Sequence, residues 1–240
     1  MIKIQEKRYT RILLTITKAI IVAGGESRRM GGIDKIFAEV AGRPVIAHTL
    51  DAFERCEAIN GIVLVLPHKS INRGKELISR YGYKKVQAIC EGGATRQQSV
   101  NNGLRSTPKC NLVLVHDGAR PCVTDESIKS GISEAIKEGV AIAASPVSDT
   151  IKQVDDSMLV SKTMDRSKLM SIHTPQVFRY EILKEVHSNP AFDATDDAAL
   201  AEKIGYKVKV YLDSYKNIKI TTPTDLKIAE AILSDRDKNP

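Results

Sequence analysis

Short apolar runs recur along this chain and constrain its fold more than any other feature. They are AIIVA (19–23), IVLVLP (62–67), VQAI (86–89), LVLVH (112–116) and VAIAASPV (140–147). A strand with one wet face alternates polar and apolar residues. An unbroken run of Val, Ile, Leu and Ala instead predicts a strand buried on both faces, as in a parallel sheet under helices. Helical patterns fill the gaps. Residues 44–56 open on Pro44 and carry Val45, Ile46 and Leu50, and residues 124–137 repeat Ile128, Ile132 and Ile136 on one face. Strands alternating with helices predict a layered α/β sheet.

The rhythm breaks at SDTIKQVDDSMLVSKTMD (148–165), where two β-prone stretches flank a polar DDS turn with no room for a crossover helix; a protruding hairpin is expected. It then resumes. YEILKEVH and TDDAALAEKIG read as short helices, and YKVKVYLD alternates as an edge or antiparallel strand does. In the closing helix Thr222 is placed to cap, Pro223 takes the first helical position and Leu226, Ala229 and Leu233 form the apolar stripe. DRDKNP (235–240) reads as a solvated tail. The expected organisation is one domain over 18–234, an N-terminal extension (1–17) and that tail.

With 240 residues, 42% hydrophobic and 27% charged, the chain has enough apolar material for one substantial core, which excludes a disordered protein. No run approaches the roughly 18 apolar residues of a membrane span. Cys56, Cys90, Cys110 and Cys122 form no CxxC pair, so buried thiols are expected rather than a zinc or disulfide framework. The first residues lack a small-residue cleavage signal, which places the expected location in the cytoplasm. The net charge of +7 favours anionic partners without choosing among nucleic acid, phosphorylated metabolites and lipid.

The choice comes from where the charges gather. AGGESRRMGGIDK (23–35) follows the first strand: Ala23, Gly24 and Gly25 allow close backbone approach, and Arg28, Arg29 and Lys35 supply fixed positive charge. It is neither GxGxxG nor GxxxxGK[ST], so neither a standard dinucleotide fingerprint nor a P-loop follows. A strand, glycine loop, arginine and lysine suit a nucleoside triphosphate attacked at its α-phosphate by another phosphate. EGGATRQQSVNNGL (91–104) adds Gly92 and Gly93 for close approach to a base, Arg96 for anionic or carbonyl groups and Ser99 in the next helix's first turn; taken alone it also reads as a generic turn and helix cap. LVLVHDGARPC delivers His116, Asp117 and Arg120 past the carboxyl end of a strand, where open α/β sheets bind ligands.

These motifs, in this order, resemble the 2-C-methyl-D-erythritol 4-phosphate cytidylyltransferase family over about residues 18–234. The resemblance implies a Rossmann-like three-layer α/β/α nucleotidyltransferase fold with a mostly parallel sheet and a β-arm projecting at 148–170. It implies transfer of cytidylyl from CTP to methylerythritol phosphate, with Mg²⁺ held mainly by the CTP phosphates and Asp117 nearby. Arg29, Lys35, Arg166 and Lys219 match the catalytic set. Ala23, Gly24, Gly25, Arg28, Gly92, Gly93, Arg96 and Ser99 match the nucleotide site, and Asp117, Arg120, Arg166, Thr174, Thr195 and Lys219 match the substrate site. The family's arm exchanges across a homodimer, so Arg166 and Thr174 are expected to serve the neighbouring subunit. The chain departs from the pattern at Gly24, where alanine is common, and at Asp34, where proline is.

Other readings stand beside this one. Read from the residues alone, 163–178 is equally a stabilising hairpin with an exposed arginine, and Thr195, Asp196 and Asp197 form a helix N-cap with acids in the first turn. A ribitol 5-phosphate cytidylyltransferase would share the triphosphate loops. A nucleic-acid-binding domain would account for the +7, but Trp is absent and aromatics total 5%, leaving little for base stacking. Neither nucleic acid nor a membrane is an expected partner.

Overall fold

The computed structural model describes residues 12–25, 34–188 and 194–238. The apolar runs become strands: β1 (Thr17–Val22), β4 (Gly61–Leu66), β5 (Val86–Glu91), β6 (Leu112–Asp117) and β7 (Val140–Pro146). A small antiparallel pair, β2 (Glu39–Val40) and β3 (Arg43–Pro44), precedes α1 (Val45–Arg55); α2 (Ile71–Tyr81), α3 (Arg96–Arg105) and α4 (Asp125–Glu138) follow. Next come the hairpin β8 (Lys152–Val154) and β9 (Val160–Thr163), then β10 (Met170–Arg179), α5 (Tyr180–Ser188), α6 (Asp197–Lys203), β11 (Lys209–Leu212) and α7 (Pro223–Lys238).

The seven-stranded sheet runs β11-β7-β10-β6-β1-β4-β5. β1, β4, β5 and β6 pair in parallel, and β11 pairs in parallel with β7. β10 is wedged antiparallel between β6 and β7. Side chains alternate between two cores. Ala19 and Ile21 of β1 pack with Ile46, Leu50 and Phe53 of α1, Leu77 of α2 and Ile128 and Ile132 of α4, while Ile20 packs on the other face with Val100 and Leu104 of α3, Leu183 of α5 and Leu200 of α6. Each fully buried Leu, Ile or Phe in these layers contributes about 2 kcal/mol. The three-layer α/β/α architecture follows from that alternation.

Several sequence expectations need adjusting. VQAI is an edge strand and only half-buried, because β4 covers one of its sides and, among the described residues, no strand pairs with the other. YKVKVYLD is an edge strand but parallel to its neighbour. The tail does not begin at 235: α7 continues to Lys238, since nothing in DRDK breaks a helix and the proline lies beyond it. Its start is held by Asp225, whose carboxylate accepts the Thr221 and Thr222 N–H groups and the Thr221 hydroxyl. The extension also ends earlier than 17, with Thr17 in β1 and Ile12 buried in the core; residues 1–11 lie outside those described. The expected hairpin is present as β8–β9, exposed on every strand residue.

Candidate active site

The chain passes from β1 to β4 and β5 on one side, then crosses to β6 on the other, so the direction of winding switches beside β1. Such a switch opens a crevice at the carboxyl ends of the strands. A cleft of about 750 Å³ lies there, lined by Val22 to Gly25 after β1, Pro67 and His68 after β4, Glu91 to Arg96 after β5 and Asp117 after β6. Lys35, Ser99 and Lys219 complete its charged and polar wall, together with the apolar Ile36 and Ala119.

The two glycine segments meet across this cleft. A Cβ on Gly24 would lie 3.4 Å from Gly92 Cα and 3.2 Å from Ser99 Oγ, and one on Gly92 would lie 3.3 Å from Gly24 Cα. Glycine at both positions therefore lets two backbones form one floor. Ser99 Oγ accepts the Gly93 N–H and donates to the Thr95 carbonyl, fixing the second loop onto α3, whose first turn is capped by the Thr95 hydroxyl. Asp34 shapes the turn that presents Lys35: its carboxylate accepts the Ile36 N–H and its carbonyl accepts those of Phe37 and Ala38.

Charge concentrates around Asp117. Its Oδ2 lies 2.7 Å from Lys219 Nζ and 3.6 Å from Arg120 Nε, and its Oδ1 accepts from Arg96 Nε at 3.5 Å. Burial alone would raise this carboxyl, but the three cations outweigh it and hold it far below the usual carboxylate range. Arg96 lines the cleft, yet its Nη1 is bonded to Asp197 at 2.7 Å, so its fork is committed to carboxylates. Arg120 is buried, donating to the Asn217 carbonyl, and stands behind the cleft rather than in its lining.

His116 lies beneath this layer and is fully buried. Burial pushes its pKa down to about 4, so the ring is neutral at pH 7. Nε2 faces the Arg120 carbonyl and carries the proton, while Nδ1 accepts from the Thr174 hydroxyl, which itself accepts the Asp117 N–H. Thr174, expected at the substrate, thus braces Asp117 from below. Arg166 sits exposed beside the hairpin, donating to the Ser148 carbonyl, and Thr195 is exposed before α6; neither lines the cleft of its own chain. The helix cap is Asp196, whose carboxylate accepts the Ala199 N–H. Arg28 and Arg29 lie outside the described residues.

Sequence reasoning passed over His68 and Glu91, paired at 3.1 Å on the cleft rim, and Asp197, the buried partner of Arg96. His68 follows a strand's carboxyl end, the same signal that picked out Asp117. Asp197 carried only a capping signal. Among the described residues no group of three or more His, Cys, Asp or Glu side chains is arranged to hold a metal. No described helix is long and apolar enough to cross a membrane.

Comparison with known proteins agrees with this geometry. A protein from Dehalococcoides mccartyi, described as 2-C-methyl-D-erythritol 4-phosphate cytidylyltransferase, is 48% identical over 215 residues, covering 90% of this chain and 95% of that protein. One from Alkaliphilus oremlandii with the same description is 45% identical, covering 92% and 96%. The crystal structure of 4-diphosphocytidyl-2C-methyl-D-erythritol synthase from Anaerococcus prevotii superposes with a TM-score of 0.81 at 33% identity, covering 92% of this chain and 99% of that one. The sequence model of 2-C-methyl-D-erythritol 4-phosphate cytidylyltransferase matches residues 17–235, and the chain belongs to that family.

Proposed function

We propose that the protein transfers cytidylyl from CTP to 2-C-methyl-D-erythritol 4-phosphate, giving 4-diphosphocytidyl-2-C-methyl-D-erythritol and pyrophosphate. The observation that carries this reading is the cleft at the switch point, with a two-glycine floor for a nucleotide and Lys35 and Lys219 on its wall. The acceptor phosphate oxygen attacks the α-phosphorus in line, a P–O bond forms there, and the bond to the β-phosphate breaks to release pyrophosphate. A phosphate monoester is already anionic at pH 7, so the protein's task is positioning and neutralising charge rather than removing a proton.

Lys35 is assigned to the charge developing at the α-phosphate, and Arg29, with Arg28 beside it, to the triphosphate. Lys219 meets the reacting phosphates from the opposite wall. Gly24, Gly25, Gly92, Gly93 and Ser99 form the nucleoside floor. Mg²⁺ fits as a substrate-borne ion held mainly by the CTP phosphates and water, with Asp117 nearby, since both oxygens of that carboxylate already face Arg96, Arg120 and Lys219. When bound, it neutralises phosphate oxygens and the leaving pyrophosphate.

The transferase unit, expected over 18–234, takes in Thr17 of β1 and the rest of α7 as well, with the arm at 148–170. That arm supports a homodimer with arm exchange, because Met158, Leu159 and Val160 are exposed on a hairpin that buries none of its strand residues. Arg166 and Thr195 then serve the acceptor, Arg166 in the partner's cleft.

The test is pyrophosphate release from CTP and Mg²⁺ with either methylerythritol phosphate or ribitol 5-phosphate, the product checked by mass. Turnover with the first acceptor at least about tenfold above the second, a difference near 1.4 kcal/mol in transition-state binding, is expected. Preference for ribitol 5-phosphate would reassign the acceptor, and release from neither would defeat the reading.

A further inference from the structure

A chain of polar contacts runs from behind the cleft to its wall. His187 of α5 faces Asp197 of α6 at 2.9 Å, Asp197 accepts from Arg96 at 2.7 Å, Arg96 reaches Asp117, and Asp117 holds Lys219 at 2.7 Å. Each carboxylate divides its oxygens. Asp197 gives Oδ1 to His187 and Oδ2 to Arg96, and Asp117 gives Oδ1 to Arg96 and Oδ2 to Lys219. The Asp197 side chain is 1% exposed, so it meets no substrate, whereas Lys219 is 37% exposed and faces the cleft.

From this geometry we infer that Arg96, anchored by Asp197, is a positioning residue that acts through Asp117 on Lys219. The inference rests on the cytidylyl-transfer reading above. A lysine side chain has many rotamers, and a carboxylate that pins its ammonium also cancels its charge. Arg96 and Arg120 solve the second problem. Three cations, Arg96, Arg120 and Lys219, share the single Asp117 carboxylate, so it is not spent on Lys219 alone, and Lys219 is the most exposed of the three. Arg96 also sets the rotation of the Asp117 carboxylate by holding the oxygen that Lys219 does not use. With the Asp197 anchor lost, Arg96 is free to lean on Asp117, and the carboxylate turns away from the position that aims Lys219.

Asp197→Asn keeps the shape of the anchor and removes its charge. Steady-state kinetics with CTP, Mg²⁺ and methylerythritol phosphate should show kcat down about tenfold with the CTP KM not raised, the signature of a misplaced group rather than lost ground-state binding. The Lys219→Met background gives the decisive comparison, because a residue acting through Lys219 has nothing left to act on. There, D197N should change kcat by less than about twofold. An undiminished loss in that background, or an unchanged kcat in D197N alone, would overturn the inference. If D197N is not recovered folded, R96K carries the same cycle, retaining the charge without the fork. Failure of the functional reading is distinguishable, since it shows as wild-type protein that releases no pyrophosphate.

Discussion

Buried neutral His116 makes the fold sensitive to acid in a definable window. In the unfolded chain a histidine takes its proton near the ordinary value of 6.5, whereas in the fold it does so only at about 4. Between those values the unfolded state binds more protons, so stability is full above 6.5 and drains away as pH falls towards 4. The depressed carboxyls of Asp117, Asp197, Asp213 and Asp225 lose their contribution only below their unfolded value of 3.8, outside that window. His48, also lowered by burial, contributes equally to parent and variant. At about 1.4 kcal/mol per pH unit, urea unfolding of His116→Gln should lose about 2 kcal/mol less between pH 7 and pH 5 than the parent. Parallel losses would remove His116 from this role. Sequence reading found the residues here but not their duties. Asp117, Arg120 and Thr174 stood out as site residues, but the Arg96–Asp197 bond joins positions 101 apart, and nothing local in ATDDAAL marks a buried counter-charge.

At the scale of elements, the strands were legible because burial on both faces leaves an unbroken apolar run. β10 was not legible as a central strand. Its first half reads as arm and its second half, QVF, is too short to show a period, so its antiparallel insertion between β6 and β7 emerges only from the register. Helix α3 poses a different problem, because Gly103 sits inside it. Helix propensity alone favours alanine there by about 1 kcal/mol. Packing opposes this: a Cβ at Gly103 would lie 2.5 Å from Ile20 Cγ2 and 3.0 Å from Val65 Cγ2, both branched side chains buried in the sheet with no flexible end to swing aside. Overpacking of that kind costs about 1–3 kcal/mol, which meets or exceeds the propensity gain. Gly103→Ala should therefore lower stability by about 1 kcal/mol in urea titrations. A stabilised variant would mean that α3 lifts off β1 and β4 more easily than this contact implies.

For the whole molecule, the open question is which cleft Arg166 serves. Its guanidinium is exposed beside the hairpin and outside the lining of its own cleft. A two-stranded hairpin is marginally stable alone in water, and this one also exposes Met158, Leu159 and Val160, the surface that the proposed arm exchange would cover with a second copy of the chain. The arrangement can be tested by mixing defects. Arg166→Ala and Lys35→Ala proteins, each inactive alone, are unfolded and refolded together so that subunits reassort. If Arg166 crosses to the partner, a mixed dimer holds one cleft with both Lys35 and the partner's intact arm, and one cleft with neither. Half of a random equimolar population is mixed, and half of the clefts in those dimers are whole, so activity should return to about a quarter of the wild-type level. If Arg166 serves its own chain, every cleft in the mixture lacks one of the two residues and activity stays at the level of the single variants. Light scattering on the refolded mixture, reading twice the 26.4 kDa chain mass, ties the second outcome to the path of the arm rather than to a failure of the subunits to assemble.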